Sequence, residues 1–250
     1  MKRRYYATHK LEYRVQRWHL VYRLFSVIID WIYPRCDVQH EVLPSSDETV
    51  IIVSNHCKLH GPIAFHLKYQ KKGTVSIWAT QELCYWNEAT RYMMRDFFGG
   101  VPRWSRPFYW LFAIILTPLM VLLFRGAEVI PVFRDQRLLT TFRKTQEQLD
   151  AGKTVVIFPE SPTPRSRFVN EFNPGFSDVA ALYYRRSGGK IVHFYPAYFA
   201  PSLSAIRLGQ PIAYDPNVPN GDQRSTINTY LMQEIERLAA TLPEHEVINF

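Results

Sequence analysis

The sequence predicts an α/β fold, with one mixed central sheet flanked by helices and all residues, 1–250, in a single domain. Two observations support this prediction. Short apolar runs bounded by turn residues alternate with segments of helical period, which is the order typical of α/β sheets. The chain is also long enough, at 47% hydrophobic residues, to bury one large core. No internal repeat or low-complexity linker divides it.

The first 45 residues are predicted to form a basic, amphipathic helical element. The net charge is +8, and six of these charges fall within the first 23 residues. Apolar side chains then recur at steps of three and four: Trp18, Val21, Tyr22, Phe25, Ile28, Ile29 and Ile32. Such a helix lies in a membrane interface, with its cations near anionic headgroups, or else packs against a core. The charge alone would equally suit nucleic acid.

A second apolar tract, 107–124, contains no charged residue. Its 18 residues are at the lower limit for crossing a bilayer, and Pro118 is expected to interrupt it. A crossing would also place the two halves of the chain on opposite sides of the membrane. We therefore expect a re-entrant, interfacial or core element, with a spanning helix as the less favoured alternative.

The remaining elements follow from apolar runs, capping residues and helical periodicity. Asn173 and Pro174 mark a helix start that precedes the helical stretch 178–186, and Gly188 ends it. Strands are predicted at 49–53, 74–79, 127–133, 154–158, 191–200 and 205–208, and further helices at 135–150 and 223–242.

The most informative motif is Ser-Asn-His at 54–56, at the end of the first predicted strand. Catalytic groups concentrate beyond the carboxyl ends of such strands, because the sheet holds them rigidly while leaving them open to ligands. His56 and His60 also have the spacing of two metal ligands on one helical face, but no convincing third ligand follows, so no metal is expected. Cys57 is expected to pack rather than act as a nucleophile. The odd number of cysteines, Cys36, Cys57 and Cys84, fits a reduced compartment.

Three further blocks join this motif. They read Glu-Val-Ile-Pro-Val-Phe-Arg-Asp at 128–135, Val-Val-Ile-Phe-Pro-Glu-Ser-Pro-Thr-Pro-Arg-Ser at 155–166, and Ile-Arg-Leu-Gly-Gln-Pro-Ile at 206–212. In this order and spacing, the chain from 50 to 212 resembles the glycerolipid acyltransferase family that includes 1-acylglycerol-3-phosphate acyltransferase. The resemblance implies that family's fold.

The resemblance also implies roles for individual residues. His56 matches the general base that takes the proton of an acceptor hydroxyl as it attacks an acyl thioester. Asn55 and His60 are the other candidate catalytic residues on this turn. The positions that hold a phosphate-bearing acceptor in the family match Arg134, Glu160 and Arg165. No metal or cofactor is implied.

Two departures from the family pattern stand out. Gly61 occupies the position of the aspartate that orients the histidine in the family. Another group must then orient His56, and the candidates are a backbone carbonyl or the carboxylates Glu82, Asp96 and Asp178. The second departure is that Ser161 replaces a glycine and two residues are inserted before Arg165, so two prolines give that loop a different path.

The sequence therefore predicts a membrane-associated O-acyltransferase on the cytoplasmic face. It would take an acyl group from acyl-CoA or acyl carrier protein as co-substrate and give it to a glycerol phosphate or lysophospholipid. The expected partners are an anionic membrane surface and these substrates, without nucleic acid. The alternative is a catalytically silent lipid-binding protein of the same fold. Nucleic-acid binding through the basic arm is a third, less favoured class.

Overall fold

The computed structural model describes residues 19–69 and 73–248, so the basic arm, 1–18, lies outside the described residues. The chain forms two compact units, each assembled from two separate stretches. The smaller unit comprises Met1–Tyr33 and Ala79–Arg134, and the larger comprises Pro34–Trp78 and Asp135–Phe250. That the whole chain folds as one domain remains a prediction.

The helices are α1 (His19–Ile32), α2 (His60–Ala64), α3 (Trp86–Tyr92), α4 (Arg106–Gly126), α5 (Leu138–Asp150), α6 (Asp178–Ser187) and α7 (Asn220–Ala240). The strands are β1 (Asp37–His40), β2 (Thr49–Ser54), β3 (Val75–Thr80), β4 (Ile130–Val132), β5 (Thr154–Ile157), β6 (Glu160–Pro164), β7 (Asn170–Phe172), β8 (Val192–Ala200), β9 (Ala205–Leu208) and β10 (Ile212–Ala213).

A mixed sheet forms the core of the larger unit. Its strands lie in the order β1-β9-β8-β2-β5-β3, and β10 pairs with β8 on the antiparallel side. Strand β2 runs parallel to both neighbours, β5 and β8. Its residues Ile51, Ile52 and Val53 are fully buried, as expected of a central strand with both faces covered. The predicted α/β class, a mixed central sheet with helices packed on it, is confirmed.

Helices pack on this sheet through apolar faces. The buried side chains Ile227, Leu231 and Ile235 recur at intervals of four along α7, which packs on β8. Helix α5 packs on β5 and is held to β3 by a hydrogen bond from Trp78 Nε1 to Thr145 Oγ1 at 2.9 Å. These contacts fix the strands whose carboxyl ends carry the candidate site.

The β6–β7 hairpin stands apart from the main sheet and was not predicted. Its two strands pair antiparallel, with Glu160 opposite Phe172 and Pro164 opposite Asn170. Proline cannot donate to a ladder, but an isolated two-stranded hairpin has outer edges where no donor is needed. The loop path expected to change because of its two prolines is thus a hairpin that begins at Glu160.

The smaller unit contains α1, α3, α4 and β4. Helix α4 is 21 residues long and passes through Pro118, so the expected interruption is wrong. A proline inside a helix removes one backbone hydrogen bond, and here the helix tolerates that loss. Because α4 extends to Gly126, the strand predicted at 127–133 is shortened to β4. Gly126 is required at this point, since a Cβ there would lie 2.5 Å from Cβ of Tyr22 on α1.

Helix α4 buries only a narrow stripe of small side chains, Ala113, Thr117 and Val121, and most of its other residues are exposed. By length and composition it could cross a membrane, with a mean hydropathy of 2.1 and 17% of its apolar window buried. It is therefore not the core element that was one of the predicted alternatives. Within the first 45 residues, α1 is followed by β1, so the predicted element is not helical throughout. Leu24, Val27 and Trp31 of α1 are exposed, and an amphipathic, membrane-associating role for this helix remains a prediction.

Candidate functional site

The Ser-Asn-His turn follows β2, the central strand of the larger unit, as predicted. Asn55 is buried and anchors this turn to β8 through both atoms of its amide. Its Oδ1 accepts the Phe199 N–H at 2.8 Å, and its Nδ2 donates to the Phe199 carbonyl at 3.1 Å. This two-point contact fixes the backbone from which the His56 side chain projects, so the geometry gives Asn55 a positioning role.

The His56 ring is half-buried, and burial lowers its pKa below the ordinary value. The ring is therefore neutral at neutral pH, as a general base must be. Its Nδ1 accepts the backbone N–H of Lys58 at 3.2 Å. A nitrogen that accepts a hydrogen bond has no proton, so this contact places the ring proton on Nε2.

Glu160 links the turn to the Phe-Pro-Glu block. Its carboxylate is buried, and Oε2 accepts the backbone N–H of His56 while Oε1 accepts that of Asn170 at 2.8 Å. Burial raises its pKa from 4.5 to about 7, although the hydrogen bonds from Asn170 and His56 oppose this rise. The resemblance implied that Glu160 helps hold the acceptor. In the structure its oxygens instead tie the hairpin to the His56 turn.

The two candidate phosphate-binding arginines differ in their surroundings. Arg165 follows β6, and its guanidinium lies 3.4 Å from a carboxylate oxygen of Glu171 and 3.4 Å from one of Glu236. Its charge is therefore already compensated within the larger unit. Arg134 is the last residue of the smaller unit, where it is exposed. His56 and Glu160 are thus the two predicted site residues that the larger unit brings into direct contact.

Gly61 packs closely against an aromatic ring. Gly61 is buried, and a Cβ at this position would lie 3.0 Å from Cε1 of Phe158. The Phe158 ring meets the His56 ring edge-on, with centroids 5.9 Å apart. An aromatic ring therefore packs closely against the position where the family places its aspartate.

The three carboxylates named as alternative orienting groups are each engaged by an arginine. Asp178 pairs with Arg224 at 2.7 Å, and Glu82 and Asp96 both pair with Arg95, at 2.9 and 2.7 Å. The backbone contacts the His56 ring as well: the Lys58 N–H reaches Nδ1, and a backbone hydrogen bond at His56 itself acts to raise the ring's pKa, as the expected carbonyl would. The three carboxylates are thus held elsewhere, and the described contacts of the ring are with the backbone.

The other candidates on the turn have simpler surroundings. His60 is exposed and begins α2, and no cluster among the described residues could hold a metal ion. Cys57 is buried, and burial raises its thiol pKa to about 12, with the nearby Glu160 adding to the rise. The thiol stays protonated and lies 3.5 Å from the Phe199 carbonyl, which agrees with the prediction that it packs.

Sequence reasoning missed two contributors to this site. Phe158 belongs to the Phe-Pro-Glu block, but its contact with Gly61 depends on packing that periodicity does not reveal. The Lys58 N–H reaches the His56 ring because Lys58 has a positive φ of 50°. A glycine or asparagine at this position would have indicated a positive φ from the sequence, whereas a lysine does not.

No protein-family model and no curated protein matches the chain. Among solved structures, it is similar to the 1-acyl-sn-glycerophosphate (LPA) acyltransferase PlsC from Thermotoga maritima. The two are 16% identical with a TM-score of 0.46, and the match covers 95% of this chain and 85% of that chain. This neighbour is a member of the family that the four sequence blocks resemble.

Proposed function

We propose that the protein is a glycerolipid O-acyltransferase with its reaction centre at His56. The observation that carries this proposal is the bond between Glu160 and the His56 backbone. It joins two motif blocks, 104 residues apart in sequence, at the carboxyl end of the central strand. An imidazole held on a rigid turn at this edge of the sheet is suited to proton transfer with a bound substrate.

In the proposed reaction, an acceptor hydroxyl oxygen attacks the carbonyl carbon of an acyl thioester. The hydroxyl proton passes to His56, the carbon–sulfur bond breaks, and the thiolate leaving group takes the proton back. No metal or covalent enzyme intermediate takes part. The lone pair of the neutral ring lies on Nδ1, where the Lys58 N–H occupies it at 3.2 Å. Base catalysis therefore requires the acceptor hydroxyl to displace this N–H, or the ring to adopt the other tautomer.

The hydrogen bond from the Lys58 N–H to Nδ1 of His56 favours a second candidate function. In this alternative, the protein has the same fold and binds lipid but does not catalyse acyl transfer. An imidazolium formed during the reaction would carry a proton on Nδ1 and face the Lys58 donor, without the stabilisation that a carboxylate supplies. Binding of lipid would persist in such a protein while acyl transfer would be absent.

Membrane association is part of the proposal, and α4 is its main support. Exposed aromatic side chains cover this helix and the residues before it, among them Trp104, Phe108 and Trp110. Arg103 and Arg106 are exposed beside them and could meet anionic headgroups. An exposed apolar surface of this kind is unusual in a soluble protein and typical of membrane contact.

An interfacial position of α4 suits its neighbours better than a crossing. Near the middle of α4, Thr117 Oγ1 lies 2.7 Å from Thr90 Oγ1 on α3. If α4 spanned the bilayer, Thr90 would lie near its centre, together with the exposed Arg91. A charged residue at that depth costs about 2.5–3.5 kcal/mol or more. The proposal therefore places α4 in one interface of the membrane, and the choice of the cytoplasmic face rests on the cysteine content alone.

The test is transfer of a labelled acyl chain by purified protein in mixed micelles. Acyl-CoA and acyl carrier protein serve as alternative donors, and lysophosphatidic acid and glycerol 3-phosphate as alternative acceptors. We expect transfer by the wild type and its loss in His56→Ala, while His60→Gln shows whether the second histidine contributes. Thermal unfolding of each variant separates lost chemistry from lost fold.

Retained transfer in His56→Ala would remove this residue from the reaction. Binding of the wild type to anionic vesicles, without turnover for any donor and acceptor, would establish the silent candidate instead. Salt-sensitive binding to RNA or DNA without vesicle binding would contradict both.

A further inference from the structure

Lys58 is an unusual residue for its position beside the candidate reaction centre. It lies two residues after His56, is exposed, and has a φ of 50°. Its backbone is fixed against the imidazole by the N–H that reaches Nδ1 at 3.2 Å. The base of the lysine side chain is therefore held next to the ring, while its four-carbon stem leaves the ammonium free to reach a ligand.

The backbone conformation is costly for lysine. The left-handed region disfavours residues with a Cβ by about 1–2 kcal/mol, and glycine or asparagine would adopt it more easily. Non-glycine residues in this region concentrate at functional sites. A turn that needed only its shape would be better served by glycine, so the lysine side chain itself calls for an explanation.

The acidic side chains near the candidate site in the larger unit are engaged by groups other than the Lys58 ammonium. Arg165, the arginine that the resemblance assigns to the phosphate, lies 3.4 Å from both Glu171 and Glu236. Among residues 19–69 and 73–248, no ion pair engages the Lys58 ammonium. Glu160 has both oxygens occupied by backbone N–H groups. The positive charge of Lys58, on the His56 turn, is therefore not compensated by Glu160, Glu171 or Glu236.

We propose that the Lys58 ammonium binds a phosphate group carried by a substrate and so positions that substrate against His56. The inference rests on the proposed function and adds a specificity-determining residue to it. Lysine binds phosphate as a mobile point charge. Two substrates can supply the group, namely the headgroup of the acceptor or the phosphates of a coenzyme A or phosphopantetheine donor.

The experiment measures equilibrium binding by calorimetry, independently of turnover. Glycerol 3-phosphate and coenzyme A are titrated into the full-length protein, with glycerol and pantetheine as their phosphate-free counterparts. The variants are Lys58→Gln, Lys58→Gly and Lys58→Arg. Lys58→Gly also suits the positive φ and keeps the N–H, so it retains the turn. Lys190→Gln is the matched control, because Lys190 is exposed just before β8, at the opposite edge of the sheet from His56.

We expect Lys58→Gln and Lys58→Gly to weaken binding of a phosphate ligand by about ten- to hundredfold, as for loss of a hydrogen bond to a charged group. Lys58→Arg and Lys190→Gln should bind within a few-fold of wild type. An effect on glycerol 3-phosphate identifies the acceptor as the source of the phosphate, and an effect on coenzyme A identifies the donor.

Wild-type protein that binds neither phosphate ligand would overturn this proposal, as would Lys58 variants that bind like wild type. An equal loss in Lys190→Gln would also overturn it, because the effect would then be one of general charge. If Lys58-dependent binding persists but the wild type transfers no acyl chain, the proposed enzymatic function fails and this binding role stands.

Discussion

The buried carboxylate of Glu160 should make the stability of this protein depend on pH in an unusual direction. Burial raises its pKa from 4.5 to about 7, so between these values the folded protein binds a proton that the unfolded chain releases. The contribution of Glu160 to stability is therefore fully present below about pH 4.5 and is lost as the pH rises through about 7. Most carboxylates in ion pairs show the opposite sign.

The magnitude follows from the size of this rise. Each tenfold change in proton affinity is worth about 1.4 kcal/mol, so the rise corresponds to about 3 kcal/mol. Glu160→Gln removes the titrating group, but it also turns an amide NH₂ toward one of the two backbone donors, His56 or Asn170. That mismatch costs about 1–3 kcal/mol at every pH and appears as a constant offset.

Urea unfolding of wild type and Glu160→Gln, at several pH values between 4 and 8.5, measures both effects. The stability advantage of the wild type should shrink by about 3 kcal/mol across this range. Glu171→Gln is the matched control, because it removes a half-buried carboxylate from the same hairpin, one that is paired with Arg165 instead of being held by backbone N–H groups. If the difference between wild type and Glu160→Gln stays constant within about 1 kcal/mol, burial does not govern the Glu160 carboxylate as we infer.

Two further predictions concern packing and membrane contact. Gly61→Ala should lower the free energy of unfolding by about 1 kcal/mol, because its Cβ would approach Phe158 to 3.0 Å. Unchanged or higher stability in urea would show that the ring moves aside and that the helix gains from alanine. Trp110→Glu places a charge on the exposed face of α4 and should weaken binding to anionic vesicles, measured by flotation, about tenfold or more. The control Lys190→Gln should float with the vesicles as the wild type does. Equal flotation of the two variants would exclude α4 from the membrane contact.

Local sequence signals predicted the central strands of the main sheet well, because each of these is set by its own apolar run. The short strands β1 and β10 were missed, and β1 lies within the 45 residues predicted to be helical. Strands β2, β8 and β9 lie within a residue or so of their predicted bounds, and α7 follows its apolar periodicity. The β6–β7 hairpin was missed because its Ser-Pro-Thr-Pro segment reads as a loop. In the structure the Glu160 carboxylate accepts the N–H groups of Asn170, on the partner strand, and of His56, which is distant in sequence. The course of α4 through Pro118 was likewise not predicted, because a proline is ordinarily expected to end or kink a helix.

The α/β class, the position of His56 beyond the central strand, and the block that contains Glu160 could all be predicted from residue order. These features depend on residue order and on local propensity, which a single chain displays directly. The surroundings of the imidazole could not be predicted in this way, because they depend on how distant segments fold together. The ring of Phe158 packs against Gly61, a backbone N–H contacts Nδ1, and Arg165 is compensated by two carboxylates. Such contacts join residues far apart in sequence or depend on a positive φ. Neither feature can be predicted from the periodicity of apolar residues.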